Sequence, residues 1–258
     1  MKHFKTHHPK IIKNLQAGLS TDKKTKFKDL KKYIGTQYDF IGLSSPRQRL
    51  VFQTGHDFGH LSLSEQLNIW NSIWLHSNSF EALSQCLYFV SKHLNEFNRP
   101  ELWKVTKGWT GKIDNWAHSD GLSAIYSYLL EVNAKEVYTQ FKIWNHSSNP
   151  WERRQSVVGL LEYSKKRNKI LPVSKLLPLV KSLLTDENYF VQKGIGWTLR
   201  EIGNVYPEET WDFLLKHSGV ISAVAFSPAV EKLSVKRKEE LKALRKRKKS
   251  ILPSKEIP

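Results

Sequence analysis

Tyr189-Phe190-Val191-Gln192-Lys193-Gly194-Ile195-Gly196-Trp197-Thr198-Leu199-Arg200-Glu201 decides how this chain is read. Laid on a helix over 187–204, Val191, Ile195, Leu199 and Ile202 line up as one apolar stripe. Tyr189, Gln192, Lys193, Gly196, Trp197 and Arg200 fall on the other faces. A Trp off the core stripe lies either under a neighbouring helix or on a binding surface.

Together with Gly194–Arg200, three stretches supply aromatic rings, a carboxylate and an arginine that stacked repeats could gather in one groove. They are Asn115-Trp116-Ala117-His118-Ser119-Asp120, Asn149-Pro150-Trp151-Glu152-Arg153-Arg154, and the Tyr189–Lys193 start of the quoted helix. Asp120 to Arg154 is 34 residues and Arg154 to Trp197 is 43, both within the period of two-helix repeats. The rest of the chain agrees. Helical periodicity predicts helices near 9–18, 22–35, 46–58, 63–76, 79–95, 99–107, 113–130, 134–145, 150–167, 172–184, 187–204, 207–217 and 229–249, and no run alternates like a strand. Asn149-Pro150 is a helix start, with Asn as N-cap and Pro where its missing N–H costs nothing. Asp186 or Asn188 can cap the next long helix. Short polar connections such as 43–46, 147–150 and 205–207 suit helix hairpins. The expected fold is all-α, an α-solenoid of about six helix pairs with one concave face lined by one position per repeat.

Charge is concentrated at the ends. The formal net charge is +17, of which residues 1–32 carry +8 and residues 229–258 carry +7, leaving the middle nearly neutral. We expect a basic N-terminal segment over 1–21, a repeat domain over 22–227 and a basic C-terminal tail over 228–258, an exposed helix fraying at its end. Such ends attract any polyanion, so they favour nucleic acid without naming one. Cys86 is the only cysteine, which excludes an intrachain disulfide and a cysteine-based zinc site. No apolar run approaches the length of a membrane span, and the basic N-terminus lacks the apolar stretch of a signal peptide. The expectation is a cytoplasmic, nucleoid-associated bacterial monomer with no membrane partner.

Several constellations admit more than one reading. In 113–130, Ile113, Ala117, Ile125 and Tyr128 make a core stripe, with Trp116, Asp120, Ser123 and Ser127 beside it. That arrangement either leaves an indole and a carboxylate facing open space, or is a core Trp with Asp120 capping or pairing. Trp151, Arg154, Val157, Val158 and Leu161 share a face, so Arg154 points to the buried side and Arg153 elsewhere. A cation there needs a carboxylate or a phosphate. Gly194 and Gly196 cost a helix about 1 kcal/mol each relative to Ala, which close approach of another helix or of a DNA backbone would explain. His56 and His60 have the i, i+4 spacing of a shared metal but lack a third ligand. Lys104, Lys107 and Lys112 either track phosphates or are simply solvated. No Walker A loop, GxGxxG or GxSxG is present, and neither a cofactor nor a metal is expected.

The Trp116/Asp120 spacing, Trp151-Glu152-Arg153-Arg154 and, above all, Tyr189–Glu201 resemble the AlkD family of bacterial HEAT-like-repeat DNA glycosylases. Lys31-Lys32-Tyr33 and Phe40–Arg49 are similar to that family's entry helices, and the resemblance runs from about residue 22 to 215. It departs from the pattern at Asp114-Asn115, in place of an aromatic neighbour, and at Ser222–Pro228, which does not follow the closing repeat. The resemblance implies that Trp116 and Trp197 are active-site aromatics, Asp120 the catalytic carboxylate, Arg154 a backbone contact near the lesion and Tyr33 a further aromatic wall. Tyr189, Phe190 and Lys193 are further candidate DNA contacts. The implied activity is monofunctional excision of cationic N3- or N7-alkylated purines from duplex DNA, without base flipping. The alternatives are a noncatalytic repeat protein that binds damaged or structured DNA, and a protein-interaction solenoid whose aromatics receive a partner helix.

Overall fold

The computed structural model describes residues 1–19 and 27–251. Among them the fold is all-α, and the only β-type pairing is an isolated bridge between Asp39 and Ser79. Two compact units divide at Ile125/Tyr126, within one helix.

The first unit contains α1 (Lys2–Leu19), α2 (Phe27–Ile34), α3 (Ser45–Gln53), α4 (Leu63–His76), α5 (Phe80–Lys92), α6 (Arg99–Thr106), a 3₁₀ turn (Lys107–Lys112) and the start of α7 (Trp116–Val132). Helices α4 and α5 pack as a pair, and α1 lies on α3, α4 and α5. The N-terminal helix begins well before residue 9 and buries Ile11 and Leu15. Its basic residues are therefore carried on a packed element. The helix expected over 22–35 is found as Phe27–Ile34; residues 22–26, and the 21/22 boundary expected there, lie outside the described residues. Trp70, Trp74, Trp103 and Trp109 form the heart of this core. Trp74 stacks on Trp109 at 4.5 Å and donates its indole N–H to the Trp109 carbonyl at 3.1 Å. A buried indole needs such a partner.

The second unit holds the rest of α7, α8 (Ala134–Trp144), α9 (Pro150–Val158), α10 (Val173–Ser182), α11 (Tyr189–Gly203), α12 (Pro207–His217), α13 (Ala223–Ala229) and α14 (Val235–Ile251). Helix α11 is its hub, packed against α9, α10, α12 and α13. Its expected stripe is its core: Val191, Ile195, Leu199 and Ile202 are all fully buried. Asn149 caps α9 by accepting from the Trp151 N–H at 2.9 Å, with Pro150 at the first helical turn. Asn188 rather than Asp186 caps α11, accepting from Phe190 and Val191.

Three expectations are corrected. The helix expected over 46–58 stops at Gln53, because the chain leaves it through Gly55 at φ +85°. The helix expected over 150–167 stops at Val158. A Cβ on residue 159 would lie 2.8 Å from the Phe141 ring, and the chain then turns at Tyr163 with φ +48°. In α7 the buried apolar residues are Leu122, Ile125, Tyr126, Leu129 and Leu130, while Ala117 and Tyr128 are half-buried and Ile113, though buried, precedes the helix. Leu122, Ile125 and Leu129 recur at i, i+3 and i+7, so the buried stripe runs along their face and Ala117 and Tyr128 lie at its margin.

Helix α13 was not expected, since seven residues are too few to show a period. It explains Gly196. A Cβ there would collide with the Ala225 carbonyl and lie 2.5 Å from Pro228 Cγ. Helix approach, not a DNA backbone, is therefore the reason for this glycine. Likewise Gly194 is faced by Val158 and Arg154 of α9.

This packing predicts opposite signs for two similar substitutions. Gly196→Ala should lower stability to urea by about 2 kcal/mol, since rigid overpacking outweighs the helix-propensity gain of about 1 kcal/mol. Gly203→Ala, where the nearest atom is Thr210 Cγ2 at 3.4 Å, should be neutral or stabilising. An unchanged midpoint for Gly196→Ala would sink the packing account.

Candidate functional site

The candidate residues fall in both units, and each set is built locally. In the first unit, α2 presents Tyr33, which is 70 % exposed. The Trp116 ring meets it edge-to-face at 5.5 Å and 78°. The Trp116 indole also donates to the Tyr33 backbone carbonyl at 3.1 Å. Trp116 is thus half-buried at the first turn of α7, with Asp120 one turn further on and also half-buried. Trp116 is therefore not a core residue. The capping role belongs to Asn115, whose Oδ1 accepts from the His118 N–H at 2.9 Å.

What holds this corner is a buried polar chain that the sequence did not reveal. Asn115 Nδ2 donates to Asp114 Oδ1 at 2.7 Å and to His118 Nδ1 at 2.9 Å. Because Nδ1 accepts, the neutral ring carries its proton on Nε2, which faces the Phe80 carbonyl at 3.0 Å. Asp114 accepts from Thr36 Oγ1 at 2.9 Å and from the Gln37 N–H at 2.7 Å, fixing the segment just beyond Tyr33. The Asp114-Asn115 departure is therefore a brace. Its only sequence signal is the spacing of Asn115 and His118, from N-cap to third helical residue. Burial holds the His118 imidazole down to about 4, opposed by its bond to Phe80 and by Asp114. Nearby, burial and Asp114 push the Tyr38 phenol up to about 12; it donates to the Lys112 carbonyl, and the Lys112 ammonium stands 5.3 Å from its ring centre.

In the second unit, Trp151 stacks on Phe190 at 5.0 Å, and Tyr189 meets Phe190 edge-on at 5.3 Å. Tyr189 is half exposed, with Lys193 Nζ 5.9 Å from its centre. Arg154 is buried, as its face required, and donates Nη1 to the Phe190 carbonyl at 2.6 Å. The adjacent Arg153 is ion-paired in its own right: its Nε lies 2.5 Å from Asp186 Oδ2, and Nη1 donates to the Ser147 and Ser148 carbonyls. Trp197 is half-buried, edge-to-face with Tyr163 at 5.5 Å and 85°. The Arg200 guanidinium lies 5.5 Å from its ring centre.

The His56/His60 pair does not make a metal site. Residues 56–60 form a turn, not a helix, so the i, i+4 spacing loses its meaning. His56 instead packs against Phe58 and Trp70, and burial lowers its pKa to about 4. Among the described residues no three His, Cys, Asp or Glu side chains are grouped to hold a metal. Likewise, no described helix is long and apolar enough to cross a membrane.

The profile of a family described as DNA alkylation repair enzyme matches residues 11–233. A solved structure described as a predicted DNA alkylation repair enzyme from Enterococcus faecalis is similar, with TM-score 0.64 and 18 % identity over 81 % of this chain and 95 % of that one. AlkD2 from Streptococcus mutans is 17 % identical over 85 % and 97 % of the two chains, with TM-score 0.49. No curated protein matches the sequence. At 18 % identity the first likeness establishes the shared fold, an all-α fold of HEAT-like helix pairs.

The His118 brace makes stability depend on pH. An imidazole that titrates near 6.5 when unfolded and about 4 when folded stabilises the protein fully above 6.5, and that contribution is lost as pH falls towards 4. Wild type should therefore lose up to about 3 kcal/mol more than His118→Gln between pH 7 and pH 4. Parallel urea-unfolding profiles for the two proteins would contradict this assignment.

Proposed function

The chain belongs to the DNA alkylation repair enzyme family, and from that premise we propose that it is a monofunctional DNA glycosylase acting on cationic alkylated purines. The observation that carries the reading is the Tyr33–Trp116 pair, with its indole N–H on a backbone carbonyl and Asp120 one helical turn away. Two aromatic walls beside a carboxylate suit a positively charged substrate.

The chemistry asks little of a general acid. A purine alkylated at N3 or N7 is already cationic, and its departure releases a neutral base. The enzyme must stabilise positive charge growing on the deoxyribose and orient a water. Asp120 is assigned both tasks, with Trp116 and Trp197 offering their ring faces to the cationic sugar and base. A carboxylate about 4 Å from a unit charge, at an effective dielectric near 20, contributes on the order of 4 kcal/mol, roughly a thousandfold in rate. Only the part gained between ground and transition states accelerates the reaction. Arg154, with one nitrogen on the Phe190 carbonyl, is assigned to the DNA backbone together with Tyr189, Phe190 and Lys193. Selectivity would then come from the lesion's own charge, without insertion of the base into a closed pocket of the kind used by base-flipping enzymes.

Duplex DNA with a single 7-methylguanine tests the proposal. Wild type should release the base well above spontaneous depurination, and Asp120→Asn should lose at least about a hundredfold in single-turnover rate. Binding should weaken steeply with salt in both proteins. Tight binding without release, for this lesion and for bulkier cationic adducts, would favour the noncatalytic DNA-binding reading instead.

A further inference from the structure

Tyr163 is the one non-glycine residue among those described that has positive φ, at +48°. L-residues avoid that region, and a bulky aromatic there is a true outlier, whereas Gly or Asn accepts it readily. Core packing does not account for it, because the residue is 41 % exposed. Nor does the chain drift into the conformation, since the segment is held on both sides. The Glu162 N–H donates to Ser127 Oγ at 2.8 Å. Beyond the tyrosine, the Ser164 N–H and Oγ both donate to Glu201 Oε2, at 2.9 and 2.8 Å. Backbone strain kept in place by buried bonds on either side is characteristic of sites where a side chain must be aimed.

The target of the aim is Trp197. Tyr163 meets that indole edge-to-face, and the Lys166 ammonium sits 4.4 Å from the centre of the tyrosine ring. Arg200, which lies against Trp197, is itself tied to Glu201 Oε1 at 3.2 Å. Glu201 thus anchors both the strained turn and the arginine beside the indole.

We propose that Tyr163 is a positioning residue, held in a strained conformation so that its ring fixes the plane of Trp197 for the excision reaction. The assignment rests on the glycosylase reading above. It predicts that relieving the strain harms function without harming the fold. Tyr163→Asn keeps a residue that tolerates the left-handed region but removes the ring. Its unfolding midpoint should equal or exceed that of wild type, while single-turnover release of 7-methylguanine from duplex DNA falls about ten- to a hundredfold, the scale of a misplaced reacting group. Affinity for the same DNA should stay within about twofold, since the loss lies in transition-state placement and not in uniform binding. Tyr163→Phe retains the ring and should excise at close to the wild-type rate.

Equal excision by wild type and Tyr163→Asn would overturn the assignment while leaving the glycosylase intact. A rate loss that tracks a lowered midpoint, or that Tyr163→Phe shares, would also overturn it, since the ring would then serve stability or its hydroxyl would be the active group. Absence of excision by wild type would remove the glycosylase reading and the role of Tyr163 together.

Discussion

One buried imidazole governs how the first unit presents its candidate residues. His118 is fully buried and has a polar neighbour at each ring nitrogen, Asn115 on one side and Phe80 on the other. Asn115 also caps α7 and hands its second amide hydrogen to Asp114, which clamps Thr36 and Gln37. A network of this kind is stable only when complete, because each buried donor or acceptor left alone costs about 1–3 kcal/mol. The start of α7 and the chain just after α2 are therefore fixed by the same set of bonds. That is why the Trp116 indole finds the Tyr33 carbonyl, and why Asp120 is directed by a rigid helix and not by a loop.

The second unit is organised around gaps. In its middle, helix α11 omits side chains at Gly194 and Gly196, and each gap admits a specific neighbour. At Gly196 it is the backbone of α13; at Gly194 it is Arg154 with Val158. The arginine is thereby brought to the N-terminal turn of α11, where the Phe190 carbonyl accepts from it. A cation buried in this way is tolerable because its hydrogen bonds replace water. Its neighbour Arg153 faces the other way and is neutralised by Asp186, which also holds the Asn188 N–H ahead of α11. Adjacent arginines thus serve different ends, one tied to Asp186 ahead of α11 and the other seated against Gly194 with Nη1 on the Phe190 carbonyl.

Part of this was readable along the chain because it depends on neighbours a few residues away. The α11 stripe, the Asn149 cap, the Pro150 start and the inward face of Arg154 all follow from helical geometry at i+3 and i+4, and all are present. The glycine pair announced a close approach, though not what approached. The His56/His60 spacing carries no information for the complementary reason: it has meaning only on a helix, and Gly55 ends the helix before it.

By itself, then, the sequence determined an all-α chain of helix pairs, most of its buried stripes, its basic ends and its likeness to one repair family. Only the tertiary structure decided that Asp114 and Asn115 brace α7, that α13 fills the gap over Gly196, and that Tyr163 is turned against Trp197. Those partners lie far apart in the chain, as with Thr36 and Asp114, separated by 78 residues. Periodicity and capping are short-range properties written in consecutive residues. Which buried donor meets which distant acceptor is settled only when the helices pack and water is excluded, since only then does an unmet bond become costly.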